Sequence, residues 1–98
     1  MQGVDLLLTP VIPFAVPRLA QLVVLRAQPA YRMQLLRYTA PFDMSGHPTI
    51  TLPAGFTRER LPLGVQLVGA YLREELLVRT GRAFQNATDW HARRPPVA

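Results

Sequence analysis

Residues 41–69, PFDMSGHPTITLPAGFTRERLPLGVQLVG, constrain the fold more than any other stretch of this chain. Residues 42–45 read as one helical turn. Gly46 closes it, since glycine takes the left-handed conformation at a helix end without a side-chain clash. From 49 to 52 the residues alternate, Ile50 and Leu52 on one face and Thr49 and Thr51 on the other, the period of a strand. Pro53-Ala54-Gly55 ends that strand. Residues 57–62 are polar and turn-like. Residues 63–68 form the next strand, with Gly64 and Gly69 bracketing its ends. Two strands this close in sequence predict an antiparallel hairpin near 49–68.

Residues 4–8 are a continuous apolar run apart from Asp5, stopped by Thr9-Pro10. Continuous apolarity predicts a strand buried on both faces. Pro10, Pro13 and Pro17 make residues 10–17 an irregular loop, because proline neither donates to a ladder nor continues a helix. Helices are predicted over 18–28, ended by Pro29, and over 30–38. The strongest helix is 72–87, where Leu72, Leu76, Thr80, Ala83, Phe84 and Ala87 recur at helical spacing. Glu74 and Glu75 in its first turn suit the positive end of the helix dipole. Gly81 inside it costs about 1 kcal/mol against alanine and points to close packing. Residues 88–98 read as a tail. Strand, helices, two strands and a helix predict a layered α/β fold. Three strands leave unpaired backbone on both outer edges. The fold is therefore expected to be incomplete on its own.

Composition narrows the function. Ninety-eight residues make one domain at most. There is no cysteine, so neither disulfides nor thiolate chemistry are available. No run of 18 apolar residues suggests a membrane span, and the N-terminus lacks a basic n-region. A cytoplasmic location is the expectation. The net charge of +5 comes from eleven scattered arginines without interleaved aromatics, so nucleic acid is not an expected partner.

Ser45 is the only serine, and there is no lysine. A serine–histidine–aspartate set would need Ser45, His47 and one of Asp5, Asp43 or Asp89. Ser45 and His47 flank a glycine stop, not a strand-to-helix elbow. Ser45 therefore reads as a local hydrogen-bonder. Two histidines are too few for a convincing zinc site. Glu59, Glu74 and Glu75 hold turn and helix-start positions, which gives no support to paired acids. No glycine-rich phosphate loop is present. No catalytic residue, metal or cofactor is assigned.

Five blocks, in order, resemble the amidase signature family. They are Asp5-Leu-Leu-Leu-Thr9-Pro10; Thr39-Ala-Pro41-Phe42-Asp43-Met-Ser-Gly46-His-Pro48; TITLPAGF with Leu61-Pro62-Leu-Gly64-Val-Gln66-Leu-Val-Gly69; Glu74-Glu75-Leu76-Leu77; and Thr88-Asp-Trp90-His91 before Pro95. Asp43 departs from the commoner asparagine, keeping an acceptor and losing a donor. The resemblance implies an α/β/α sandwich on a mixed sheet, of which residues 1–98 would be the C-terminal segment. Family members act on amide nitrogen through a serine nucleophile, a second serine in a cis peptide and a lysine base. That lysine must be neutral to take a proton, which requires a shielded site. These residues belong to the family's N-terminal half, and nothing here aligns with it.

The resemblance thus implies an inactive segment whose partner is the missing N-terminal part. A small amide would be the substrate only in the complete enzyme. Thr9, Pro10, Val11, Ile12 and Pro13 are assigned to the pocket rim, since the loop leaves the C-terminal end of a strand. The alternative is a loop packed by its own prolines. Gly64 reads as strand packing and Gln66 as a polar group that needs a partner. Two other readings stay open: part of an A-type amidotransferase chain, and a non-catalytic remnant whose bare strands are covered by a homo-oligomer or a second chain.

Overall fold

A computed structural model describes residues 2–96. Among them, β1 (Leu6–Pro10), β2 (Thr49–Phe56) and β3 (Pro62–Gly69) form one sheet in the order β1-β3-β2, antiparallel throughout. The predicted hairpin is β2–β3. Its turn is held by the Thr57 N–H donating to the Leu61 carbonyl (2.8 Å) and the Leu61 N–H donating to Thr57 Oγ1 (3.1 Å). A mixed sheet would need strands beyond these three.

Two strand boundaries differ from the sequence expectation for one reason. β1 spans Leu6–Pro10, not residues 4–8, and β2 runs past Pro53 to Phe56. Both are edge strands that pair only with β3. An edge has one side without ladder partners, so a proline's missing donor is tolerated there. The register shifts between Pro53 and Gly55, and Gly55 takes φ 147°, a conformation open to glycine.

The helices are α1 (Leu19–Arg26), α2 (Pro29–Leu35), α3 (Ala40–Ser45) and α4 (Glu74–Ala87). Pro29 opens α2 as well as closing α1, because the first helical position needs no N–H donor. Gly46 ends α3 at φ 79° and donates its N–H to the Phe42 carbonyl (2.9 Å). α4 begins two residues later than expected, because Leu72 lies at φ 63°, outside helical space.

α4 packs on the sheet face that carries Ile50 and Leu52. A Cβ at Gly81 would lie 3.2 Å from Ile50 Cδ1, so the helix approaches the sheet through this glycine. Loop 11–17 covers part of the other face, where Phe14 stacks on the buried Tyr31 of α2 at 5.0 Å. Helix, sheet, and loop with helix thus make three layers.

The core is thin. Among the described residues, only Tyr31, Leu52, Val68 and Leu77 are buried hydrophobics. The chain exposes 7718 Å²; a self-contained protein of its mass exposes roughly 5,600 Å². β1 is not buried on both faces as its apolarity predicts, for Leu8 is 69% exposed.

The predicted tail 88–98 is partly structured. Residues 97 and 98 lie outside the described residues. Trp90–Ala92 form a 3-10 turn, and Trp90 meets Phe56 edge-on at 5.9 Å. Arg93 lies 5.0 Å over the Trp90 ring and pairs with Asp89 (3.2 Å). This segment clasps the end of β2. Among the described residues, no helix is long and apolar enough to cross a membrane.

Candidate functional site

Where β1 ends, loop 11–17 folds back over the sheet and leaves a hollow of about 180 Å³. Val11, Ile12, Phe14 and Val16 line it from the loop, and Thr51 and Gly64 line it from the sheet. Of the five assigned rim residues, Val11 and Ile12 face the hollow, whereas Thr9, Pro10 and Pro13 are not among its lining. Thr9 instead anchors the loop. Its Oγ1 donates to the Pro10 carbonyl (3.0 Å) and accepts a hydrogen bond from Gln66 Nε2 (3.0 Å).

Gln66, 3% exposed on the central strand, also donates from Nε2 to the Tyr38 carbonyl (2.8 Å). One buried amide therefore ties β3 to β1 and to the segment before α3. Replacing it with leucine removes both donors and leaves the Tyr38 carbonyl without this partner. Gln66→Leu is expected to destabilise by about 1–3 kcal/mol, the cost of an orphaned polar group. Thermal unfolding of the assembled protein checks this; an unchanged midpoint would mean that the amide does not hold the layers.

A second hollow, about 310 Å³, lies on the opposite face between β1 and α4. Leu8, Leu67, Phe84 and Trp90 are among its walls. The Thr80 hydroxyl at its edge donates to the Leu76 carbonyl (2.8 Å). It lies beneath α4, on the face away from the loop after β1, and reads as uncovered packing surface.

Ser45 and His47 do come together, Oγ to Nδ1 at 2.7 Å. His47 stacks on Tyr71 (4.2 Å between centroids), and the Tyr71 hydroxyl donates to the Ser45 carbonyl (2.7 Å). The cluster fastens the end of α3 to the loop before α4. Among the described residues, no carboxylate bonds to His47, Asp89 is engaged by Arg93, and no group of three or more acids and histidines could hold a metal. Ser45 is the local hydrogen-bonder that its position suggests. Tyr71 has no signal in the sequence, because its partners lie 24 and 26 residues away and follow no periodicity.

The comparisons with known proteins say which family this arrangement belongs to. The Amidase family model matches residues 1–78, and the chain belongs to the amidase family. A putative amidase AmiD of Mycobacterium tuberculosis (strain ATCC 25618 / H37Rv) is 49% identical over 94 residues, covering 96% of this chain and 20% of that protein. The A-type chain of a glutamyl-tRNA(Gln) amidotransferase of Microcystis aeruginosa (strain NIES-843 / IAM M-2473) is 37% identical over 94 residues, 96% of this chain and 19% of that one. A solved structure of 6-aminohexanoate cyclic dimer hydrolase superposes with a TM-score of 0.81 at 35% identity, over 94% of this chain and 21% of that one. The chain thus spans about one fifth of the length of these relatives.

Proposed function

We propose that residues 1–98 form the C-terminal part of an enzyme that cleaves carbon–nitrogen amide bonds, with nucleophile and base supplied by preceding sequence. The observation that carries this reading is the structural likeness to an amide-bond hydrolase over nearly the whole chain. The chain's own inventory agrees, for its one serine is held in a local cluster and it has no lysine. Thr9, Pro10, Val11, Ile12 and Pro13 form the rim of the substrate pocket in this reading. Val11 and Ile12 touch the substrate, and Thr9 sets the path of the loop. The substrate is a small amide, no cofactor or metal takes part, and the assembled enzyme is cytoplasmic.

The test is a hybrid in which this chain replaces the matching fifth of 6-aminohexanoate cyclic dimer hydrolase. The hybrid is expected to hydrolyse amides and to keep that activity as Ser45→Ala. The 98-residue chain alone is expected to show none. Hydrolysis by the isolated chain, abolished by Ser45→Ala, would overturn the proposal.

A second reading rests on the likeness to the A-type chains of amidotransferases. It predicts that the same segment, placed in such a chain, supports ammonia release from glutamine.

A further inference from the structure

The hollow beside the loop after β1 has a uniform chemistry. Its loop wall is Val11, Ile12, Phe14 and Val16; its floor is Thr51 and Gly64. The chain carries eleven arginines and six acids, yet none of them lines this space. Resting on the reading that this loop rims the substrate cleft, we propose that the hollow is a specificity pocket for an uncharged, apolar group of the amide substrate, a short aliphatic chain or a single ring.

Charge decides against polar occupants. An ammonium or carboxylate placed here would lose its hydration and meet no partner, which is costly in any apolar site. An apolar group has the opposite balance. Each buried methylene strengthens binding roughly fourfold. The available space, about 180 Å³, matches the liquid volume of about six waters, so the benefit stops at about that many non-hydrogen atoms.

Gly64 limits the size. A Cβ there would sit 3.5 Å from Val11 Cγ2 and 3.6 Å from Thr51 Cγ2, ordinary contact distances between the two walls. Its φ is not in the positive range, unlike those of Gly46 and Gly55. A larger side chain at 64 therefore meets no backbone strain and fills the hollow.

The hybrid enzyme described above, with a series of straight-chain amides from acetamide to octanamide, tests this. The expected result is kcat/KM rising about fourfold per added carbon and levelling off near six carbons. 6-Aminohexanamide, charged at neutral pH, should react at least about tenfold more slowly than hexanamide, because its ammonium finds no partner. Gly64→Leu should lower the hexanamide-to-acetamide ratio of kcat/KM, with Gly64→Ala intermediate. Occupancy is read separately from the methyl NMR shifts of Val11, Ile12 and Thr51 on titration with hexanamide. Shifts without turnover would support the pocket and count against the amidase reading. Turnover with a flat length profile and no shifts would keep the amidase reading and overturn the pocket. Equal rates for the charged and uncharged six-carbon amides would also overturn it.

Discussion

Expressed alone, the 98-residue chain is expected to aggregate, and co-expression with the other four fifths of an amidase domain is expected to convert it into a soluble one-to-one complex. The expectation rests on the chain's surface. It exposes 7718 Å², roughly 2,000 Å² more than a self-contained protein of its mass. Matched by a similar area on the partner, an excess of that size makes an interface of roughly 4,000 Å² in total, in the range of obligate interfaces. Large apolar side chains contribute to it. Leu19, Val23 and Val24 of α1 are 83%, 77% and 64% exposed, so little packs against these apolar side chains. Leu8 lies open beside the apolar hollow under α4. The outer edges of β1 and β2 leave backbone donors and acceptors unpaired, and such edges recruit other strands. Light scattering after size exclusion, with and without the complementary part, makes the comparison. Hydrogen exchange should show the Leu6–Thr9 amides that point away from β3 unprotected in the chain alone and protected in the complex. A monodisperse monomer that melts cooperatively would refute the expectation. A clean homodimer would mean that a second copy covers the bare face.

That thin core also explains what the sequence could and could not show. Local chemistry was legible. Gly46 ends α3, the 49–68 hairpin forms, and Gly81 marks the close approach of α4 to the sheet, each because one residue type has few conformational or packing options. The family blocks were legible for the same reason, being built around prolines and glycines at fixed spacing. Errors arose where tertiary placement overrode a local rule. Pro10 and Pro53 read as strand stops, but edge positions tolerate them. Residues 4–8 read as doubly buried, an inference that assumes neighbours which these three strands do not supply. Trp90 read as part of a tail, although an edge-on contact with Phe56 and the Arg93–Asp89 pair fold it back onto β2. At the candidate site, Val11 and Ile12 followed from the loop's position. The opposite wall did not. Thr51 and Gly64 face the loop only because Thr51 pairs with Gln66 and Pro53 with Gly64, a register that no local pattern specifies.

The seam between α4 and the sheet should be the most sensitive part of the segment. Leu77 is 2% exposed, and a Cβ placed on Gly69 of β3 would come within 3.3 Å of it, so this side chain fills the space above the central strand. Leu77→Ala empties that space and is expected to cost about 2–5 kcal/mol. With so few buried hydrophobics, little else can take over. One turn further on, Gly81 faces Ile50 Cδ1 at 3.2 Å and Leu52 Cδ2 at 3.4 Å from its would-be Cβ. Gly81→Val forces these groups apart and should cost about 1–3 kcal/mol, the usual range for overpacking. Gly81→Ala sets the same tight contact, against a side-chain end that can rotate, beside a helix-propensity gain of about 1 kcal/mol. It should come out near neutral. Denaturant unfolding of the assembled protein should therefore rank wild type and Gly81→Ala together, then Gly81→Val, then Leu77→Ala. A neutral Leu77→Ala would mean that α4 is held by its ends, through the Trp90 clasp, and not by its packed face. Trp90→Ala would then become the larger loss, and measuring both variants decides between the two.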